Sequence, residues 1–254
     1  MPDSKRFGFL RLATMAGTFT MVVGCACAQA EPVTLETADK VKIFGDYAGG
    51  GDKSKTLILL FHMAGANAGE YATIAPKLVA LGFNTLAIDQ RSGGTDFGRA
   101  NRTAKAYGRP ASYMQALPDL QAALDWARTS GHTGKVIAWG SSYSAALVFL
   151  LAAGNPGKVA GLLAFSPGEY LGGKNTVRAA AAKLVGTAVF VSSASDPAEI
   201  GAARSIFDAV PDTAKTLLVP KNAPHGSSAL RDDANPKGNA EVWAAVTRFL
   251  EPLR

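Results

Sequence analysis

Short apolar runs alternate along the chain with longer segments that have the spacing of a helix. Six of the runs are almost continuously apolar, which predicts strands covered on both faces of a sheet. These runs cover residues 56–61, 84–88, 136–139, 159–165, 187–191 and 215–219. Helical spacing is found in segments 71–81, 112–128, 144–153, 177–184, 198–210 and 240–250. The alternation predicts parallel strands joined by right-handed crossovers, with helices on both faces.

The start of this region has a different pattern. Residues 33–42 alternate apolar and polar side chains around Ala38 and Asp39, which predicts an antiparallel hairpin. No repeat or linker marks a second domain, so residues 31–254 are expected to form one doubly wound α/β domain with a mostly parallel sheet. The loop 90–112 is the longest irregular stretch, and we expect it to form one wall of a site.

Residues 1–30 have the pattern of a secretory signal peptide. Lys5, Arg6 and Arg11 give a basic start, an uncharged apolar core follows, and Ala30 ends a small-x-small cleavage site. A second interpretation is a lipobox in which Cys25 is lipidated. Both interpretations predict export, either to the periplasm or medium or as a membrane-anchored lipoprotein. A transmembrane span is not expected, because the apolar core is shorter than the roughly 20 residues that a span needs.

Composition narrows the chemistry. Cys25 and Cys27 are the two cysteines of the chain and both lie in the leader, so no thiol nucleophile, disulfide framework or cysteine metal site is expected. The net charge is +6, but the basic residues are scattered and are not interleaved with aromatic residues, which argues against nucleic acid as a partner. His62 and His132 have no metal-ligand spacing, so neither a metal nor a cofactor is expected.

The most informative segment is 135–154, KVIAWGSSYSAALVFLLAAG. It predicts a strand, a sharp turn and a helix, with a serine at the apex of the turn. In such a turn the residues two before and two after the nucleophile must be small. Ser141 fails this test because bulky residues flank it, and Ser144 would already lie inside the helix. Ser142, between Gly140 and Ser144, is the predicted nucleophile, although glycine is usual where this chain has Ser144.

A serine nucleophile needs a histidine base and an acid that orients the histidine. His225 follows the last predicted strand and Asp196 follows the strand before it, so both should lie at the same sheet edge as Ser142. Ser142, Asp196 and His225 also occur in the order expected of a nucleophile elbow. Glu169 is the alternative acid. The backbone amide of Tyr143, directly after the nucleophile, is a predicted oxyanion donor.

Two further segments resemble the α/β-hydrolase superfamily. Residues 62–67, HMAGAN, are similar to its His-Gly-x-Gly oxyanion loop, and residues 87–94, AIDQRSGG, are similar to its Asp-x-Arg-Gly segment. The resemblance implies that Ala64 supplies the second oxyanion donor, with Met63 as the alternative. It also implies structural roles for His62, Asp89 and Arg91. In size and lack of a cap the chain looks most like the small dienelactone-hydrolase-like and esterase branches, although dienelactone hydrolases typically carry a cysteine nucleophile.

These observations predict an exported serine hydrolase that cleaves carboxylic esters of small molecules, a carboxylesterase-like activity of class EC 3.1.1. Two alternatives stay open: a peptidase or amidase with the same triad, and an exported binding protein without activity on a hydrolase fold. Met63, Tyr143 and Tyr170 are expected to line an apolar pocket. The sequence does not define the acyl and alcohol groups or the oligomeric state.

Overall fold

The structure is a computed structural model that describes Met1, residues 30–211 and residues 214–254. The predicted leader, including Cys25 and Cys27, lies outside the described residues except for Met1 and Ala30. Its proposed cleavage or lipidation therefore stays a prediction.

Eight strands form one sheet. They are β1 (Glu31–Glu36), β2 (Lys42–Ala48), β3 (Leu57–Phe61), β4 (Asn84–Asp89), β5 (Val136–Ser141), β6 (Gly161–Phe165), β7 (Ala188–Ser192) and β8 (Lys215–Leu218). Their order across the sheet is β1-β2-β4-β3-β5-β6-β7-β8. The pairs β1/β2 and β2/β4 are antiparallel, and every other neighbouring pair is parallel. The predicted doubly wound, mostly parallel sheet with an antiparallel hairpin at its start is confirmed.

Helices cover both faces of this sheet. The α-helices are α1 (Ala75–Ala80), α2 (Arg102–Tyr107), α3 (Leu117–Thr129), α4 (Tyr143–Gly154), α5 (Thr176–Ala181), α6 (Pro197–Ala209) and α7 (Asn239–Leu250). Short 3₁₀ helices occur at Ala68–Tyr71, Met114–Ala116, Gly226–Leu230 and Glu251–Leu253.

Two apolar cores lie on opposite faces of the sheet, because successive strand side chains point in opposite directions. In β3, Leu57 and Leu59 pack with α3, α4, α5 and α6, whereas Ile58 and Leu60 pack with α1 and α7. All five residues of β3 are buried, as are all six of β5. This double coverage explains why the strands appear in the sequence as continuous apolar runs.

Two elements differ from the sequence prediction. The second strand of the hairpin, β2, begins at Lys42 and continues to Ala48, beyond the predicted end of the hairpin. Gly45 in the middle of β2 is needed there, because a Cβ at this position would lie 3.0 Å from the Leu86 side chain. The loop expected to be irregular contains α2, which Asn101 caps by accepting a hydrogen bond from the Ala104 amide.

The parallel strands all end at one edge of the sheet. The segments that follow β3, β5, β6, β7 and β8 therefore lie at this edge. They include the predicted oxyanion loop after β3, Ser142 after β5 and His225 after β8. In an open parallel sheet this is the edge at which ligands bind.

Candidate active site

The turn between β5 and α4 has the geometry of a nucleophile elbow. Ser142 is the single residue between Ser141, the last of β5, and Tyr143, the first of α4. Its backbone angles are φ 57° and ψ −121°, a conformation that costs a non-glycine residue about 1–3 kcal/mol. A Cβ on Gly140 would lie 2.3 Å from the Ser144 carbonyl oxygen, so only glycine fits beneath the turn. The strained backbone and the close packing together place one serine at the apex of the turn.

Hydrogen bonding separates the three serines of the segment. The Ser141 hydroxyl donates to Glu70 Oε1 at 2.6 Å, and the Ser144 hydroxyl donates to the His62 carbonyl oxygen at 2.6 Å. Both side chains are fully buried. Ser142 is 9% exposed, and its hydroxyl makes no hydrogen bond to any residue that the structure describes. Of the three serines, Ser142 is thus the one whose hydroxyl has no partner among the described residues, and Ser144 ties the elbow to the loop after β3.

His225 is held at this edge by both its side chain and the residue after it. Its Nδ1 lies 2.9 Å from Glu199 Oε2 in α6, which makes Nδ1 the protonated nitrogen and leaves Nε2 free. The next amide, that of Gly226, donates to Ser166 Oγ at 3.0 Å, and Ser166 directly follows β6. The two side chains of this contact are partly exposed, 37% for His225 and 26% for Glu199.

The predicted pairing of Asp196 with His225 is not found, because the His225 side chain contacts Glu199 instead. The Asp196 carboxylate caps α6 by accepting hydrogen bonds from the amides of Ala198, at 2.9 Å, and Glu199, at 3.2 Å. Glu169, the alternative acid, accepts from the amides of Val177 and Arg178 and so caps α5. Both acids predicted from the sequence are engaged by helix starts, and the acid that contacts the histidine is Glu199.

The sequence around Glu199 does not indicate that this residue contacts a histidine. Glu199 stands three residues after Asp196, and an Asp followed at this distance by a Glu at a helix start is typical of a capping box. The available signal was that Glu199 lies in the first turn of a helix that begins at the same sheet edge as His225. A partner for His225 could therefore have been sought one turn beyond the strand end.

The two candidate oxyanion amides in the loop after β3 differ in their hydrogen bonds. The Met63 amide donates to Glu70 Oε2 at 2.7 Å, so the alternative oxyanion donor is already occupied. No described residue accepts a hydrogen bond from the Ala64 amide. The Tyr143 amide is the first of α4, where amides have no acceptor within the helix and the helix dipole favours negative charge. Of the predicted oxyanion donors, the Ala64 and Tyr143 amides are therefore the ones without an acceptor among the described residues.

His62 has a structural environment. Its Nδ1 donates to the Met63 carbonyl oxygen at 2.8 Å, and its Nε2 accepts from the Gln90 amide at 2.9 Å. Complete burial lowers the pKa of His62 to about 4, so the ring is neutral. With both nitrogens engaged, His62 fixes the loop, in agreement with the role that its sequence context implies.

Asp89 and Arg91 also fix loops. Asp89 accepts from the Ala68 amide at 2.9 Å and pairs with Arg102 at 2.7 Å. Arg91 binds the buried Asp119 at 2.8 Å. These contacts attach the segment after β4 to its neighbours, and neither side chain is left free for a substrate.

An open cleft of about 530 Å³ lies between the segments 111–114 and 170–172. Its lining is largely apolar and aromatic: Ala111, Ser112, Tyr113, Met114, Tyr170, Leu171 and Gly172. The Tyr113 ring stacks on Tyr143 with 4.4 Å between ring centroids, and the Tyr170 hydroxyl lies 3.3 Å from the Ser166 carbonyl oxygen. One side of the cleft is therefore in contact with Tyr143, the residue after Ser142, and the other with Ser166, whose hydroxyl accepts from the Gly226 amide. Of the predicted pocket residues, Tyr170 lines this cleft, whereas Tyr143 is buried behind Tyr113.

The fold and the elbow define an α/β-hydrolase. Residues 52–193 match the family model described as "Serine aminopeptidase, S33", and since this is more than half of the chain, the protein belongs to this family. No curated protein matches the sequence. Membership of the family supports a hydrolase activity.

Solved structures show the same fold at low sequence identity. A Pyrococcus furiosus esterase is 18% identical with a TM-score of 0.67, over 89% of this chain and 93% of that chain. A dienelactone hydrolase from Anabaena variabilis is 18% identical with a TM-score of 0.69, over 90% and 100%. Est1E from Butyrivibrio proteoclasticus, solved with ferulic acid bound, is 16% identical with a TM-score of 0.65, over 87% and 99%.

Among the described residues, no three His, Cys, Asp or Glu side chains converge as ligands for a metal ion. No helix in the described ranges is long and apolar enough to cross a membrane.

Proposed function

We propose that this protein is a serine hydrolase of carboxylic esters, with Ser142 as nucleophile, His225 as base and Glu199 as the acid that orients His225. The observation that carries the proposal is the 2.9 Å contact between His225 Nδ1 and Glu199 Oε2 at the sheet edge that bears the strained elbow. A carboxylate at this nitrogen fixes the imidazole in the tautomer whose Nε2 can accept a proton. The free hydroxyl of Ser142 is the group that this base activates.

The reaction proceeds in two halves. His225 Nε2 takes the Ser142 proton as Oγ attacks the ester carbonyl, and the Ala64 and Tyr143 amides stabilise the oxyanion. Collapse breaks the bond to the alcohol, which leaves with the proton from His225 and produces an acyl-serine. Water then loses a proton to His225 and attacks the acyl carbon. The acid is released, and the proton on His225 returns to Ser142.

The open cleft supports an ester with an apolar portion. Tyr113 and Met114 on one side and Tyr170 and Leu171 on the other provide apolar surface. Apolar pockets with few polar groups are typical of small-molecule sites. The cleft is open, and we expect it to accept acyl groups of several sizes.

Fluorophosphonate labelling and short p-nitrophenyl esters test the proposal. Wild-type protein should be labelled once per chain and should hydrolyse the esters. Ser142→Ala should show neither labelling nor ester hydrolysis. Ser205→Ala, a change of an exposed serine in α6, is the matched control and should behave as wild type. Absence of labelling in the wild type, or full turnover by Ser142→Ala, would contradict the assignment and favour a binding protein without activity.

A peptidase activity is the second candidate, because the matching family model is described as a serine aminopeptidase. The same nucleophile would then attack an amide. Parallel assays with an amino-acid p-nitroanilide and the matching p-nitrophenyl ester separate the two activities. We expect the ester to be cleaved faster by far, and faster cleavage of the anilide would favour the peptidase.

We also propose that the protein is exported, with cleavage after Ala30. The first strand begins at Glu31, which pairs with Tyr47, so cleavage at this point would keep the whole sheet. Mass spectrometry of protein from the native host checks the proposal. A mature N-terminus at Glu31 is expected, and a lipidated N-terminal Cys25 would favour the lipoprotein instead.

A further inference from the structure

Glu70 is a buried acid that the proposed chemistry does not use. It lies in the 3₁₀ helix Ala68–Tyr71, and its side chain is completely buried. One carboxylate oxygen, Oε2, accepts from the Met63 amide at 2.7 Å. The other, Oε1, accepts from the Ser141 hydroxyl at 2.6 Å. The two oxygens thus bind the residue before Ala64 and the residue before Ser142.

Ser141 extends this connection to the histidine segment. Its Oγ also accepts from the Ser227 amide at 2.8 Å, two residues after His225. Trp139 Nε1 donates to the Ser227 hydroxyl oxygen at 3.0 Å. A Cβ on Gly226 would lie 2.4 Å from Ser141 Oγ, so the histidine segment packs directly on this hydroxyl. A chain of hydrogen bonds therefore runs from Met63 through Glu70 and Ser141 to Ser227.

The surroundings of Glu70 offer little compensation for a negative charge. The Arg231 guanidinium is the nearby cation, and it donates to the Glu70 carbonyl oxygen at 3.2 Å and also pairs with Asp233. Tyr71 and Tyr143, the other titratable groups that face Glu70, are neutral phenols whose pKa burial raises. Burial raises the pKa of Glu70 to about 7. An acid kept in such a place is costly, and perturbed acids of this kind are concentrated at functional sites.

We propose that the Glu70 carboxylate is a positioning residue that fixes the Ala64 amide, Ser142 and His225 relative to one another. The inference rests on the proposed serine hydrolase. An ionised carboxylate can accept hydrogen bonds from Met63 and Ser141 together. A protonated acid or an amide replaces one of these two acceptors with a donor. If the donor stands opposite Met63, it faces the Met63 N–H, and if it stands opposite Ser141, it faces the proton of the Ser141 hydroxyl. The ionised form is therefore the one that holds all three segments.

Glu70→Gln tests this role because it has the shape of the protonated acid. At pH 8 we expect kcat for a p-nitrophenyl ester to fall about 10²-fold, the effect of a misplacement of about 1 Å, with KM little changed. The ratio of wild-type to Glu70→Gln kcat should shrink toward 1 below pH 6, where the wild-type acid is itself protonated. A ratio that is the same at every pH would overturn the proposal.

A double-mutant cycle with Ser141→Ala provides a second test. If Glu70 acts through Ser141, the double variant should lose little more kcat than either single variant, because neighbours in one network are not additive. Independent, additive losses would contradict the connection through Ser141.

Asp119→Asn is the matched control. Asp119 is likewise fully buried, and burial raises its pKa to about 6, but it binds Arg91 and not the elbow. This variant should unfold at a lower temperature and keep a kcat ratio to wild type that does not change with pH. If the kcat ratio for Asp119→Asn changes with pH in the same way as the ratio for Glu70→Gln, the effect belongs to buried acids in general. That result would overturn the specific role of Glu70.

The wild-type labelling experiment distinguishes two kinds of failure. If fluorophosphonate labels wild type at Ser142 and the Glu70→Gln ratio is flat, the positioning role is wrong and the hydrolase proposal stands. If wild type is not labelled, both proposals fail.

Discussion

Glu199 and Asp196 are three residues apart and have carboxylates with different partners. Asp196 accepts from two amides at the start of α6, whereas Glu199 contacts His225 Nδ1. A helix cap contributes to stability, and a histidine partner contributes to the tautomer and to the stabilisation of the imidazolium. Replacing each acid in turn should therefore separate the effect on folding from the effect on catalysis within a single helical turn.

Glu199→Gln should lower kcat for ester hydrolysis by about 10³- to 10⁴-fold with a small effect on the unfolding temperature, because the amide can hold His225 in the wrong tautomer. Asp196→Ala should instead cost about 1 kcal/mol of stability and keep most of kcat, because it removes a cap. Steady-state kinetics and urea unfolding of both variants check this prediction. A large loss of kcat in Asp196→Ala with no loss in Glu199→Gln would show that Asp196, the acid predicted from the sequence, orients the histidine.

The sequence predicts residue types at this site better than it predicts their contacts. Ser142 and His225 could be found because local sterics and their position after a strand select them. The prediction takes Asp196, with Glu169 as the alternative, and misses Glu199, because a helix cap and a catalytic acid have the same sequence signal at a helix start. Glu70 lies in the polar stretch NAGEY, whose pattern gives no indication of burial. Its position follows from the packing of three separate segments, which no local pattern encodes.

At the scale of elements, the strand-turn-helix unit of β5 and α4 is the part that allows least change. Gly140 is packed against the backbone of the first turn of α4, with Ser144 O at 2.3 Å and Ala145 N at 2.6 Å from an added Cβ. Backbone atoms cannot move aside as a flexible side chain can, so a methyl group there must displace the turn. The continuous burial of β5 made this unit predictable, whereas the six-residue, largely polar α2 gave no comparable signal.

Gly140→Ala should lower both the unfolding temperature and kcat, with a loss of kcat of at least about 10²-fold if the elbow shifts by 1 Å. Gly154→Ala, at the other end of α4, is the matched control. Gly154 is exposed and has no atom within 4 Å of an added Cβ, so this variant should be neutral or slightly more stable, because alanine favours helix. Thermal unfolding and ester kinetics of both proteins provide the test, and equal behaviour of the two variants would contradict a tightly packed elbow.

At the scale of the whole molecule, the site reduces the stability of the fold that supports it. Two cores on either side of an eight-stranded sheet supply the burial that holds the sheet edge in place. Against this burial stand the left-handed backbone of Ser142 and the buried acid of Glu70. Strained and desolvated groups of this kind persist when the rest of the structure determines their positions, and they are concentrated at active sites.

The pH dependence of unfolding should reveal the contribution of Glu70. Its pKa rises from an ordinary value of 4.5 to about 7 in the folded protein, so between these values the folded state binds more protons than the unfolded state. The contribution of Glu70 is therefore fully present below pH 4.5 and is lost as the pH rises through about 7. The size of the loss is on the order of 3 kcal/mol at about 1.4 kcal/mol per pKa unit.

Glu70→Gln removes this titration. The unfolding free energy of wild type should therefore fall relative to that of the variant as the pH rises from 5 to 8. Over the same pH range, the kcat of the variant should fall relative to the kcat of wild type. Urea unfolding at several pH values, beside kinetics in the same buffers, measures both. A variant that loses activity and relative stability together as pH rises would mean that Glu70 serves folding alone. Opposite trends would show that the ionised acid is retained for catalysis at the expense of stability.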